Sequence, residues 1–259
     1  MTEFVAVISA KGGVGKTTTS INLSSALDYF KRDVIVLDGN FTNPDIGIHL
    51  GKAFLPKSFH TALKGHHHIN ESVYKHSSGL RIIPGNISYN EAINNKKENI
   101  VDVVRDLTNF SEVVIIDSSP GIGDDCRAVL KAVDYVLIVT TPDICSVTNS
   151  IKTVKLSKDL NKKILGVVVN MMRGENYELS VENIQTMTGQ KVVGFIPYDH
   201  GFRQSIQRKT PLVNTEPTSQ ASIGFKKLAA NLMGKQYMTN IQKNETGPDF
   251  KKILKRFGL

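Results

Sequence analysis

The sequence predicts an α/β fold, a doubly wound and mostly parallel sheet flanked by helices. Three observations predict it. Short β-rich apolar runs alternate with longer stretches of helical period. Several runs are apolar on successive residues, which suits strands covered on both faces. A glycine-rich turn separates the first run from the first helical stretch.

The strands are expected at Phe4–Ser9, Val34–Asp38, Leu80–Pro84, Val113–Asp117, Tyr135–Thr140, Ile164–Asn170 and Lys191–Ile196. Helices are expected at Thr17–Phe30, Glu98–Leu107, Arg127–Ala132, Val147–Leu160, Val181–Thr188 and Ser222–Leu232. Lys57–His76 reads as loop or short helices. Residues 234–247 are polar and aperiodic, the composition of a linker. The expected organisation is therefore a domain over 1–233, a linker over 234–247 and a distinct segment over 248–259.

Composition narrows the setting. At 40% hydrophobic and 22% charged residues, most of the chain should fold. The first residues enter an apolar run directly, without the pattern of a signal peptide. Runs such as Tyr135–Val139 are too short to cross a bilayer. The two cysteines, Cys126 and Cys145, form no CxxC pair, so free thiols in a reducing, cytoplasmic compartment are expected. A formal charge of +8 points to anionic partners, either nucleic acid or a lipid surface.

The turn reads Lys11-Gly12-Gly13-Val14-Gly15-Lys16-Thr17-Thr18. Its glycines let the backbone present N–H groups to phosphate oxygens. The helix that follows adds its dipole and unpaired donors. Lys16 is expected on the β- and γ-phosphates of ATP, and the Thr17 hydroxyl on magnesium, which prefers hard oxygens. Ala10 stands where the usual pattern begins with glycine.

With its first lysine, the motif KGGVGKT resembles the deviant Walker A motif of the MinD and ParA family, and the form Asp38-Gly39-Asn40 followed by His49-Leu50-Gly51 resembles its archaeal MinD-like members. The resemblance continues along the chain. Val113-Val-Ile-Ile-Asp117-Ser-Ser-Pro120-Gly121 is similar to Walker B and switch II. Val167-Val-Val-Asn170 and Gly194-Phe-Ile-Pro197-Tyr198-Asp199 are similar to the base-contacting segments of MinD-like proteins. It implies an ATPase that forms a nucleotide-sandwich homodimer, with Lys11 reaching the partner's ATP. It also implies that Asp117 holds magnesium through water, and that Asn170, Pro197, Tyr198 and Asp199 line the adenine.

Switch I departs from the pattern. Many relatives read Asp-x-Asp, whereas this chain reads Asp38-Gly39-Asn40. A neutral amide orients water but cannot accept its proton. Lys11, Lys16, Asp38 and Asn40 are the candidate catalytic residues, and hydrolysis is expected to be slow or partner-activated. Asp124 or Asp125, in switch II, is a candidate source of the missing carboxylate.

At the C-terminus, Phe250, Ile253, Leu254 and Phe257 fall on one helical face, with Lys251, Lys252, Lys255 and Arg256 around them. This pattern suits a membrane-surface helix and resembles the targeting tail of MinD. Burying the four apolar side chains contributes roughly 1.5–3 kcal/mol each. Ordering the backbone costs on the order of 1–2 kcal/mol per residue. One tail should therefore bind weakly, while two tails in a dimer gain a factor of about 10²–10⁴. The implied protein sits on the inner face of the cell membrane and positions or recruits partner proteins, in cell division or polar machinery. The alternative is a ParA-like partitioning ATPase on DNA, for which Arg203, Arg208 and Lys209 are the basic candidates. His66-His67-His68 reads as a solvated loop, and Cys126 alone does not make an iron–sulphur site.

Overall fold

Side chains that alternate in direction along each strand explain why the central runs are apolar throughout. Phe4, Ala6, Ile8, Val114 and Ile116 pack on one face, and Val5, Val7, Val113 and Ile115 on the other. The computed structural model describes residues 2–88 and 97–237.

The chain begins with β1 (Glu3–Ile8), α1 (Lys16–Tyr29) and β2 (Val34–Gly39). Two short helices, α2 (Ile46–His49) and α3 (Phe59–Leu63), and a 3₁₀ turn at Ile69–Ser72 lead to β3 (Tyr74–Lys75) and β4 (Arg81–Ile83). A 3₁₀ turn at Lys97–Asn99 then opens α4 (Ile100–Arg105). The remainder alternates strand and helix: β5 (Val113–Ser118), α5 (Asp124–Ala132), β6 (Tyr135–Thr140), α6 (Ile144–Asp159), β7 (Lys163–Met172), α7 (Val181–Thr188) and β8 (Val192–Pro197). Three helices close the described chain: α8 (Gly201–Gln207), α9 (Leu212–Thr215) and α10 (Gln220–Leu232).

The strands form one sheet in the order β3-β4-β2-β5-β1-β6-β7-β8. Every pairing is parallel except the antiparallel edge strand β3. The chain first moves from β1 toward β2 and later crosses back over β1 from β5 to β6. Such a reversal leaves a crevice at the carboxyl ends of the central strands. Helices α1 and α10 cover one face through Leu23, Leu27, Phe225 and Leu228, and α5 covers the other through Val129 and Leu130.

The expected doubly wound sheet is present, with its seven longer strands where the apolar runs lie. Several boundaries differ. α6 begins at Ile144, before the expected Val147, because the Asp143 side chain accepts from Ser146 N and caps it. α5 begins at Asp124, where the loop after β5 turns into helix behind Gly123. α4 is shorter than the expected 98–107, and its first residues form a 3₁₀ turn. Two-residue β3 and the short helices α2, α3, α8 and α9 carry too few residues for a periodic signal. The expected helix over 248–259 and residues 238–247 of the expected linker lie outside the described residues.

Register sets the chemistry. β2 and β5 pair so that Asp38 lies beside Asp117 and Gly39 beside Ser118. A Cβ on Gly39 would lie 2.7 Å from Ile116 Cγ2 and 2.9 Å from the Asp117 carbonyl oxygen. Backbone cannot retreat as a side chain can, so Gly39→Ala should destabilise the fold by about 1–3 kcal/mol. The expected readout is a thermal midpoint lowered by several degrees; an unchanged midpoint would show that the β2–β5 contact is looser than described.

Candidate functional site

Phosphate-binding geometry starts with what α1 lacks. Helices α6, α7 and α10 each begin with a side-chain cap, from Asp143, Ser180 and Ser219. α1 has no side-chain cap and no acidic residue in its first turn, and its N-cap is Gly15 at φ 87°. The first intrahelical bond runs from Thr19 N to Gly15 O. The N–H groups before it form the free positive end of a helix dipole. Gly15 is also sterically required, because a Cβ there would lie 2.2 Å from Asn170 Nδ2.

Three charged side chains are buried at this end of the sheet. Lys16 is 7% exposed, and its ammonium donates to Ser9 Oγ at 3.2 Å. Burial lowers its pKa, against the opposing charge of Asp117. Asp117 is fully buried and accepts from Thr17 Oγ1 at 2.6 Å and from Ser20 Oγ at 3.0 Å. Burial pushes its carboxyl up to about 6, although Thr17, Lys16 and Ser20 act against the shift. Asp38, also fully buried, accepts from Asn40 N at 3.2 Å and Ile46 N at 2.9 Å. Burial, and then the Asp117 charge, push its carboxyl well above the usual carboxylate range.

The two carboxyls lie side by side in the sheet, and the Lys16 charge opposes the burial of Asp117. Thr17, Asp117 and Asp38 offer hard oxygen donors, the set that suits magnesium. A threonine hydroxyl can donate to Asp117 and still present its lone pairs outward. The residues present therefore fit a hard divalent cation.

The other expected residues fall into three groups. Val14 is buried, and its carbonyl accepts from Asn170 Nδ2 at 2.8 Å. Asn170 Oδ1 is buried without a partner, an acceptor awaiting an N–H donor. Pro197 closes β8, and Tyr198 N donates to Met172 O at 2.8 Å. Asp199 accepts from Gly201 N at 2.8 Å at the start of α8. Gly12, Gly13 and Thr18 lie along the turn and the first turn of α1 as expected from their order.

Lys11 faces its own chain. Its ammonium lies 3.5 Å from Asp143 Oδ1 and 3.1 Å from Ser146 Oγ, at the start of α6. Burial would raise the Asp143 pKa, but bonds from Thr141 and Ser146 and the Lys11 charge bring it down to about 2. Asn40 is 6% exposed, and its amide bonds within the chain through both its nitrogen and its oxygen. Nδ2 donates to Asn43 O at 2.5 Å, while Oδ1 accepts from Asn43 N at 3.2 Å and Ser119 Oγ at 3.0 Å.

Sequence reasoning did not single out Ser9, Ser20, Ser119 or Arg173. Ser20 had a signal, since it follows Lys16 by one helical turn and shares its face. Arg173 had none, yet its guanidinium carbon sits 3.7 Å from the Tyr198 ring centroid. Arg203, Arg208 and Lys209 are exposed on and just after α8. Among the described residues no three His, Cys, Asp or Glu side chains gather as a metal site, the histidine triplet included.

A family model described as ParA, NUBPL iron-transfer P-loop NTPase, matches residues 1–233. An uncharacterized ATP-binding protein of Methanocaldococcus jannaschii is 31% identical over 254 residues, covering 98% of this chain and 96% of that protein. The septum site-determining protein MinD of Synechocystis sp. is 29% identical over 246 residues, with 90% of each chain covered. MinD from Pyrococcus horikoshii, solved in complex with Mg-ADP, superposes with a TM-score of 0.85 at 26% identity, over 90% of this chain and 96% of that one. The cysteines here do not suit iron transfer. Cys126 is buried and its thiol is pushed up to about 11 by burial, and Cys145 lies exposed on α6.

The buried acids make the nucleotide-free fold pH-sensitive. Below about pH 4 Asp117 is protonated in both folded and unfolded chains. Between about 4 and 6 the unfolded chain ionises first, so stability falls as pH rises. The two-unit shift corresponds to a loss on the order of 3 kcal/mol, complete above about pH 6. Asp117→Asn should weaken this fall and raise the thermal midpoint of the nucleotide- and magnesium-free protein at pH 7.5. Equal pH dependence in both proteins would contradict the carboxylate assignment.

Proposed function

Because the chain belongs to the ParA/MinD family of P-loop NTPases, we propose that it binds ATP with magnesium and hydrolyses it slowly to ADP and phosphate. ATP-dependent pairing of two copies then controls attachment to an anionic membrane surface through the C-terminal segment. At the membrane the protein positions or recruits partner proteins. Residues 1–233 act as the ATPase domain, 234–247 as a linker and 248–259 as the membrane segment.

One observation carries the ATP reading: an uncapped helix N-terminus, a buried lysine and the Thr17–Asp117 contact meet at one point. The N–H groups of 12–18 cradle the phosphates, and Lys16 faces the β- and γ-oxygens. Thr17, directly, and Asp117, through water, hold magnesium. Bound there, magnesium neutralises charge on the phosphates and fixes their geometry. The unpartnered Asn170 Oδ1 is an acceptor suited to the adenine amino group, and the Arg173–Tyr198 pair supplies a flat wall beside it.

Slow turnover follows from Asn40. Its amide oxygen accepts twice within the chain and one of its two N–H donors is used, and it carries no charge that could take a proton from water. Lys11 is free to act in trans at small cost. An exposed pair such as Lys11–Asp143 contributes only about 0–1 kcal/mol. Two ATP molecules at a shared interface would outcompete it.

The tail argument rests on sequence: four large apolar residues on one face and a net charge of +3 over 249–259. No helix among the described residues is long and apolar enough to cross a membrane. A DNA-partitioning role is the second reading, favoured by the exposed Arg203, Arg208 and Lys209.

Co-sedimentation with vesicles containing phosphatidylglycerol separates these readings. The full chain should pellet with ATP and magnesium, and not with ADP. Deleting 248–259 should abolish pelleting. Lys11→Ala should retain ATP binding yet lose both dimer and pelleting. Pelleting without ATP would sink the switch, and pelleting of the deleted chain would sink the tail. ATP-dependent, salt-sensitive binding to duplex DNA with no vesicle binding would favour the partitioning role.

Purified alone, the protein should turn ATP over at a rate well below ~1 s⁻¹, the lower end of ordinary enzymes. Fast unassisted turnover would contradict the reading of Asn40.

A further inference from the structure

The two loops beside the phosphate site are joined by a carboxylate that lies outside it. Asp125 Oδ2 lies 3.1 Å from Thr42 Oγ1 and 3.3 Å from Ser119 Oγ, both hydroxyl donors. Its Oδ1 pairs with Lys97 Nζ. Thr42 belongs to the loop after β2, two residues beyond Asn40. Ser119 belongs to the loop after β5. Ser119 Oγ also lies 3.0 Å from Asn40 Oδ1, so its single proton is placed between the amide oxygen of Asn40 and the carboxylate of Asp125. The Lys97 ammonium lies 5.6 Å from the Phe41 ring centroid, so the residue between Asn40 and Thr42 is held as well.

This cluster is built for strength. The Asp125 side chain is 19% exposed, and bonds to a shielded carboxylate are stronger than neutral ones. Helix α5 does not need it for anchoring, since Cys126, Val129 and Leu130 fix that helix in the core. The cluster also accounts for a neutral residue at position 40. A carboxylate there could not donate to Asn43 O, as Asn40 Nδ2 does at 2.5 Å. It would also face Asp125 across one hydroxyl, a like-charge contact that raises the energy of both acids.

We infer that Asp125 is a positioning residue for the reaction. It fixes the 40–43 loop against the 118–123 loop through Thr42 and Ser119, and so sets the Asn40 amide. Lys97 completes the cluster from the start of α4. The consequence for turnover rests on the ATPase reading, whereas the loop-fixing claim stands without it.

Hydrogen–deuterium exchange on the full chain separates the two. With ADP or ATP bound, Asp125→Asn should speed exchange in peptides covering 40–46 and 118–123 by about tenfold, as expected for loss of a charge-assisted bond. Peptides from β7 and β8 should be unaffected. ATP turnover should fall while the KM for ATP stays unchanged. Unaltered exchange in both loops would overturn the inference, even if turnover fell. If wild type does not hydrolyse ATP, the ATPase reading fails but the exchange result still decides this one. Thr42→Val removes the bond to Asp125, Ser119→Ala removes the hydroxyl shared by Asn40 and Asp125, and both leave the acid in place. They should show smaller increases in the same peptides. If Asp125→Asn does not fold, these two variants decide, and no increase in either would overturn the inference.

Discussion

Two carboxylates in register on neighbouring parallel strands are the constraint on which the rest depends. Asp38 and Asp117 lie side by side, fully buried, where β2 and β5 end. Taking both charges out of water is unfavourable, and their mutual repulsion adds to the cost. One lysine, two hydroxyls and a few backbone N–H groups meet them. That complement leaves the carboxyls raised, not settled. Beside it, α1 offers donors with no internal acceptor. The excess anionic charge and the excess donors are separated by one turn of chain, which matches the two ends of a magnesium–phosphate group.

Binding and turnover are supported by different residues. The phosphate loop, Lys16, Thr17 and Asp117 are preorganised by the central sheet and need no partner chain to hold their geometry. Asn40 lies in a loop whose shape depends on its own amide and on contacts with the loop after β5. The sheet-borne residues and the loop-borne Asn40 thus rest on different parts of the fold. Lys11 pairs with the half-exposed Asp143 and with the hydroxyl of the buried Ser146, and the exposed ion pair adds only about 0–1 kcal/mol.

The sheet and the phosphate loop were legible in the sequence for physical reasons. Strands covered on both faces must be apolar on successive residues, and a left-handed helix cap beside Asn170 must be glycine. Asn170 was legible through resemblance, and the unpartnered Oδ1 supports it from geometry. What the sequence hid was pairing across distance. Lys11 and Asp143 are 132 residues apart, and Ser119 and Asn40 are 79 apart. Nothing local marks such contacts. The bond that Asp199 accepts from Gly201 N at the start of α8 was likewise unmarked in the sequence. β3 and the helices α2, α8 and α9 were missed because two to seven residues display little or no period, whereas α3 falls in the stretch read as loop or short helices.

The central claim is that the paired acids form the seat of the magnesium ion, and proton release tests it most directly. Magnesium is titrated into the ADP-bound protein at pH 6 in buffers of different ionisation enthalpy. With the Asp117 carboxyl near 6 and that of Asp38 also raised by burial, the wild type should release protons as magnesium binds, and Asp117→Asn should release fewer. Binding of magnesium with no net proton release by the wild type would contradict the account.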